Sequence, residues 1–212
     1  MRSPTILGVS HLVLSTRDIE EDGRRLAAHG YGVAKRARGI ANPAAKAPFC
    51  GRPLAPTFDM DLLTAPNLPP VELLHDHGPT SGGLPAYTLA LEAPPDLTCA
   101  CASPDEAAAL WAAMGLPATD GKVIIPASAV GASLRVCFET APARPTTLDQ
   151  PGWVCLSLLC TNADRLREHL VGAGFAPGKC FTVAPFGQPL RVFFLRNRSG
   201  ELYEFLSLAP RA

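Results

Sequence analysis

The chain has 212 residues, enough to bury a sizeable core in one or two compact domains. Nineteen lysines and arginines balance nineteen aspartates and glutamates, and no basic patch or acidic tail points to nucleic acid. Because no apolar run is long enough to span a bilayer and no signal peptide is evident, we expect a cytoplasmic protein without membrane or nucleic-acid partners.

The first stretch of the chain predicts a strand followed by a helix. Residues 6–14 form an apolar run with His11 in its middle. Side chains able to cap a helix follow at Ser15, Thr16 and Asp18. The helix then has an apolar stripe formed by Ile19, Leu26 and Ala27. Gly30 and Gly32 mark the end of this helix.

Three further strands complete this first unit. Residues 33–36 predict a short strand, and residues 58–63 and 71–75 predict two more, the last with Glu72 near its start. Between the first two of these, residues 37–57 are rich in alanine, proline and glycine and predict a long loop. Loops of this length often act as lids or binding loops.

The middle of the chain follows a similar plan with weaker signals. Residues 87–92 and 97–102 predict strands, and Ser103 with Pro104 marks a helix start before residues 107–114. Residues 122–125 and 133–139 predict two more strands. This third copy lacks a histidine and a glutamate at the positions that match His11 and Glu72.

The last stretch repeats the first one. When residues 153–175 are laid on residues 9–31, Cys155 falls on His11 and Phe175 falls on Tyr31 without a gap. Strands follow at 179–183, 189–196 and 201–207, with Glu204 at the place of Glu72. We predict an α+β protein of repeated βαβββ modules, with a first module at 1–80, a degenerate middle module at 81–147 and a last module at 148–212.

The chain resembles the vicinal oxygen chelate superfamily in the motifs GVSHLVL, VELL and YEFL and in their repetition. That superfamily includes glyoxalase I, bleomycin-resistance proteins, methylmalonyl-CoA epimerase and extradiol dioxygenases. The resemblance implies paired βαβββ modules whose curled mixed sheets form a cleft. It also implies that His11, Glu72 and Glu204 are metal ligands. The fourth ligand position, usually histidine or glutamine, is Cys155 here.

This residue set suits metal chemistry on a small molecule. One imidazole and two carboxylates fit Fe(II), Mn(II), Ni(II) or Zn(II) with open positions, whereas a Cys155 thiolate favours a softer ion. Such an ion can bind two neighbouring oxygens of an oxygen-rich or aromatic molecule and stabilise an enolate, and Fe(II) can activate dioxygen. Glu204 is the candidate that moves a proton. An isomerase, lyase or dioxygenase is expected.

Other residues are candidates for binding the substrate. Arg191, on the strand PLRVFFLR, can clamp a carboxylate, and Phe194 and Trp153 can line the cleft. Each also has a structural interpretation, as an exposed strand arginine or as core aromatic residues. His75 and His77 form an alternative ligand pair or a solvated strand end. Cys155 and the other six cysteines form no CxxC pair, and most lie in apolar runs that favour free thiols.

Two functions therefore stay open, beside a third possibility, a scaffold or subunit whose third module serves assembly. The retained His11, Glu72 and Glu204 favour a metal-dependent enzyme, whereas Cys155 favours a metal-free protein that binds a small molecule or confers resistance to it. Three modules cannot pair off completely within one chain. We therefore expect a homodimer in which an unpaired module meets its counterpart.

Overall fold

The computed structural model describes residues 5–77, 96–128, 133–142 and 145–210. Within them the strands are β1 (Ile6–Ser15), β2 (Gly32–Ala41), β3 (Thr57–Thr64), β4 (Val71–Asp76), β5 (Asp96–Cys101), β6 (Lys122–Ile125), β7 (Leu134–Thr140), β8 (Gly152–Cys160), β9 (Phe181–Val183), β10 (Leu190–Arg196) and β11 (Leu202–Leu208). The helices are α1 (Ile19–Ala28), α2 (Pro104–Ala113), α3 (Ala163–Gly172) and a 3₁₀ helix at Ala44–Phe49. The predicted strand at 87–92 lies outside the described residues.

One curled eight-stranded sheet combines the first and last parts of the chain. Its strand order is β2-β3-β4-β1-β8-β11-β10-β9, and the middle part forms a separate sheet of order β5-β7-β6. At the centre, β1 and β8 pair antiparallel, while β1 pairs parallel with β4 and β8 pairs parallel with β11. The molecule is thus an α+β protein, as the sequence predicts.

The register of the central strands relates the two halves by an approximate two-fold exchange. His11 is opposite Ser157, and Val13 is opposite Cys155. Exchanging β1 with β8 therefore places His11 on Cys155. Because Val13 neighbours Glu72 and Ser157 neighbours Glu204, the same exchange relates the two glutamates. The alignment of the repeat is confirmed by these pairings.

The helices start and end through local side chains, as predicted. Asp18 caps α1 by accepting hydrogen bonds from the backbone N–H groups of Glu20 and Glu21, and Asn162 caps α3 in the same way. Gly30 and Gly174 then follow the two helices with φ values of 85° and 89°, a left-handed conformation that favours glycine.

The structure differs from the sequence prediction at two places in the first unit. Ala27 is exposed, and the buried polar residue of α1 is Asp22, because the Thr16 hydroxyl donates a hydrogen bond to it. Residues 37–57 are not one long loop. β2 reaches Ala41 because it pairs with β3 along its length, and the 3₁₀ helix follows. Most residues of this edge strand are exposed, so the strand lacks the usual alternation of apolar and polar residues.

The middle part shares a core with the last part of the chain. Buried residues of α2, β6 and β7 pack in one apolar cluster with residues of β8, α3, β10 and β11, including Trp111 against Tyr203. The predicted reason for a dimer, an unpaired middle module, is therefore weakened, and the homodimer stays a prediction. Among the described helices, none has the length and hydropathy needed to cross a membrane.

Candidate functional site

Three predicted residues from three strands meet on the concave side of the large sheet. His11 lies on β1, Glu72 on β4 and Glu204 on β11. Nε2 of His11 is 3.2 Å from Oε2 of Glu72 and 3.3 Å from Oε2 of Glu204. Neither oxygen is aligned with the ring nitrogen as a hydrogen-bond acceptor, although Nε2 is fully buried. We call these residues the His11 triad.

Two serines hold the His11 triad from behind. The Ser10 hydroxyl is 2.9 Å from Nδ1 of His11, and Ser157 donates a 2.6 Å hydrogen bond to Oε2 of Glu204. When Nδ1 carries the only ring proton and donates a hydrogen bond to Ser10, the lone pair of Nε2 is available for an ion held between the two carboxylates. Contacts of this kind behind a ligand orient it and set its tautomer.

The charge of His11 depends on the two glutamates beside it. Burial by itself lowers the pKa of His11, but Glu72 and Glu204 outweigh it and raise that pKa to about 10. Burial raises the pKa of Glu204, but the contacts with His11 and the hydrogen bond from Ser157 outweigh it and lower that pKa. Without a bound ion, the imidazole is therefore protonated at neutral pH and lies between the two carboxyl groups.

Cys155 is not among the residues that line the cavity of the triad. The residue is 7% exposed and belongs to the apolar cluster that also supplies the walls of the cleft, and its Sγ donates to the carbonyl of Leu156 at 3.7 Å. Burial and then the charges of Glu204 and Glu72 raise the pKa of its thiol well above the ordinary value. A neutral buried thiol is a poor metal ligand.

Lys46 is the residue of the site that the sequence analysis missed. It lies on the 3₁₀ helix, is 9% exposed, and faces the same cavity as the His11 triad. Its Nζ is 3.8 Å from the centre of the Phe58 ring. The available signal was that Lys46 is the one charged residue of the largely apolar segment NPAAKAPF. A segment with so few polar residues is more typical of a buried part of the chain than of an exposed loop.

The cavity in front of the triad is small and mostly apolar. Its volume is about 150 Å³, and its apolar walls include Phe58, Met60, Phe181, Phe186, Leu190 and Val192. Polar groups converge at one end only, where the His11 triad and Lys46 lie. Two larger cavities in the described part of the chain, of about 240 and 390 Å³, contain no residue of the triad. The small cavity has the form expected of a binding site for a small molecule.

None of the three predicted substrate-binding residues is among those that line this cavity. Arg191 faces the other side of β10, where its Nε and Nη2 bind the Asp164 carboxylate at 2.8 to 3.0 Å. Phe194 is 2% exposed and packs against Phe49 and Phe181. Trp153 is 36% exposed and is not among the residues that line the cavity. Strand alternation and helix packing decided these orientations.

His75 and His77 do not join the triad either. Nδ1 of His75 is 3.1 Å from the carbonyl oxygen of Thr16, and Nε2 of His77 is 3.1 Å from a carboxylate oxygen of Asp59. The two rings contact each other edge to face at 4.9 Å. The pair therefore belongs to the end of β4.

The His11 triad fits a divalent ion by its donors. Two ligand atoms about 2.0–2.2 Å from one ion are roughly 2.8–3.6 Å apart at angles between octahedral and tetrahedral. The two distances from Nε2 fall in this range. However, no three or more histidine, cysteine, aspartate or glutamate side chains of the described residues are arranged as a complete metal site. The carboxylates would have to turn to complete it.

Comparison with known proteins gives a likeness in structure alone. No family model and no curated protein sequence matches the chain. The chain is similar in structure to methylmalonyl-CoA epimerase from Mycobacterium tuberculosis, with 11% identity, a TM-score of 0.51 and coverage of 99% of this chain and 93% of that one. A second methylmalonyl-CoA epimerase has 12% identity, a TM-score of 0.48 and coverage of 97% and 98%.

A variant of glyoxalase I from Zea mays has 8% identity, a TM-score of 0.37 and coverage of 97% and 69%. The likeness to the Mycobacterium epimerase supports the fold, which the sheet order and the exchange of β1 with β8 also indicate. By this likeness, the chain shares the fold of the Mycobacterium epimerase.

Proposed function

We propose that the cleft is the active site of a metal-dependent enzyme that acts on a small oxygen-rich molecule. The observation that supports this most is the position of the buried Nε2 of His11 between two carboxylate oxygens. His11, Glu72 and Glu204 would hold the ion. When bound, a divalent ion would polarise two neighbouring substrate oxygens and favour enolate formation.

The protein groups would orient the substrate and move a proton. Oε2 of Glu204 faces His11 and accepts the hydrogen bond from Ser157, so we assign proton transfer to the other oxygen, Oε1. The apolar walls would exclude water from the reacting end of the cavity. Proton transfer of this type corresponds to an isomerase or a lyase, and dioxygenation requires Fe(II) in the same place.

A metal-free binding protein is the second candidate. It is favoured by the raised pKa of His11, because a protonated imidazole between the two carboxylates offsets part of their charge without an ion. In that case the cavity would sequester its ligand without converting it.

Metal analysis distinguishes the two candidates. We expect protein purified without chelator to contain about one equivalent of Fe, Mn, Ni or Zn, and the His11→Ala variant to lose it. His29→Ala is the matched control, because His29 is exposed just after α1. If the wild-type protein holds no metal even after incubation with these ions, and His11→Ala folds normally, the metal-free candidate replaces the enzyme.

A further inference from the structure

Nζ of Lys46 lies in the cleft beside the carboxylates of Glu72 and Glu204, which act on it electrostatically but make no hydrogen bond or ion pair with it. The residue is 9% exposed and lines the cavity, and no hydrogen bond or ion pair joins Nζ to a residue that the structure describes. Its contact is the face of the Phe58 ring, 3.8 Å from Nζ to the ring centre. A ring face attracts a cation but leaves the N–H donors unsatisfied. Burial lowers the pKa of Lys46, so a charged ammonium in this position is costly, and an anionic ligand would offset that cost.

The 3₁₀ helix holds this ammonium in position. Phe49, at the end of the helix, packs against Phe194, with the ring centres 5.4 Å apart. The Phe49 carbonyl accepts hydrogen bonds from the backbone N–H of Leu148 at 3.0 Å and from Nη2 of Arg196 at 3.3 Å. These contacts tie the segment to the last part of the chain. Lys46 is therefore a fixed group of the cleft rather than a mobile surface side chain.

The charges of the site favour an anionic ligand. If a divalent ion occupies the His11 triad, as proposed above, its two positive charges balance the carboxylates of Glu72 and Glu204. The ammonium of Lys46 then remains as one uncompensated positive charge inside the cavity. A ligand with one negatively charged oxygen would neutralise this positive charge and accept hydrogen bonds from the N–H groups of Lys46.

We propose that Lys46 binds an anionic oxygen of the ligand, and that the cleft therefore selects small carboxylates or enolates with an apolar body. The acid group would lie between Lys46 and the triad, and the body would contact the aromatic and aliphatic walls. This inference rests on the cleft being the binding site, and it specifies the class of substrate that the proposed function leaves open.

Calorimetric titration with two probes of nearly equal shape tests this inference. Benzoate carries the negative charge and benzamide does not, and each is titrated with and without saturating Mn²⁺. We expect the wild-type protein to prefer benzoate and the Lys46→Met variant to lose about 10- to 100-fold of that preference, as one charge-assisted hydrogen-bonding group is removed. Lys46→Gln, also uncharged, is the second variant.

Lys35→Met is the matched control. Nζ of Lys35 lies 5.1 Å from the ring centre of Phe186, which lines the same cavity, but Lys35 is exposed. This variant should keep the preference for benzoate. A preference that survives in both Lys46 variants would overturn the inference. So would the absence of saturable binding when wild-type protein is titrated with carboxylates from acetate to benzoate.

Metal content measured on the same samples separates this inference from the proposed function. If Lys46→Met keeps its metal and its preference for benzoate, the role of Lys46 is wrong and the metal site stands. If no protein holds metal but only wild type and Lys35→Met prefer benzoate, the anion site stands and the metal-dependent function is wrong.

Discussion

The chemistry of this protein is concentrated in a few buried polar residues. His11 contacts both Glu72 and Glu204, and Ser157 joins this group from the opposite strand. The sequence grouped His11, Glu72 and Glu204 through the repeat and the family resemblance, and the pairing of β1 with β4 and of β8 with β11 brings them together. Cys155 occupies the position equivalent to His11, yet its burial makes it a packing residue. Equivalent positions in a repeat thus need not keep equivalent roles.

The affinity for metal should depend on pH through His11. Because the pKa of His11 without an ion is about 10, an ion must displace a proton from the imidazole at any lower pH. We expect the apparent affinity for Mn²⁺ to rise about tenfold per pH unit between pH 6 and pH 8. Competition titration with a fluorescent chelator measures it.

The His11→Gln variant is the control for this dependence. A glutamine carries no titrating proton, so the affinity of that variant should change much less over the same range. An affinity of the wild-type protein that is equal at pH 6 and pH 8 would show that His11 does not bind the ion.

At the scale of elements, the 3₁₀ helix was the least predictable part of the site. It joins β2 to β3, and its shape depends on partners far along the chain. Asp149 accepts a 2.7 Å hydrogen bond from the backbone N–H of Gly51, and Arg52 binds the same carboxylate at 3.1 Å. Gly178 leaves the space into which the Phe49 ring packs. None of these partners is visible in the local pattern of residues 37–57.

The Gly178→Ala variant should disturb this helix. A Cβ at Gly178 would lie 2.7 Å from Cε2 of Phe49, 2.8 Å from its Cζ, and 3.3 Å from the carbonyl oxygen of Phe194. Because the ring is buried, we expect the free energy of unfolding to fall by about 1–3 kcal/mol in urea titrations. Benzoate affinity should fall as well, since Phe49 positions Lys46.

Gly172→Ala is the control for steric space, because a Cβ there meets nothing within 4 Å. It should be neutral, or stabilising by up to about 1 kcal/mol at the end of α3. Equal stabilities of the two glycine variants would contradict the packing of Phe49 described above.

The whole molecule joins two sheets through one core. Trp111 of α2 is fully buried and meets Tyr203 of β11 edge to face, with ring centres 5.7 Å apart. The large sheet alone carries the His11 triad, while the middle part supports its convex side. The division into modules at 1–80, 81–147 and 148–212 stays a prediction, because the shared core makes the middle part a structural neighbour of the last one.

The Trp111→Ala variant tests whether this core is one cooperative unit. We expect a loss of about 3–5 kcal/mol in the free energy of unfolding, with a single transition seen by both circular dichroism and fluorescence. The half-exposed Trp153 supplies the matched control, and Trp153→Ala should cost less than about 1 kcal/mol. Two separate transitions, or equal losses in both variants, would mean that the middle part folds independently.

The sequence by itself determined the repeated strand and helix unit and its caps, because these follow from short-range periodicity and from local side chains. Only the tertiary structure decided which side chains share the cleft. Arg191 meets Asp164, and Lys46 enters beside Phe58. The orientation of such side chains depends on contacts between residues that are distant in the chain. These contacts form only when the sheet has curled and its two halves have paired.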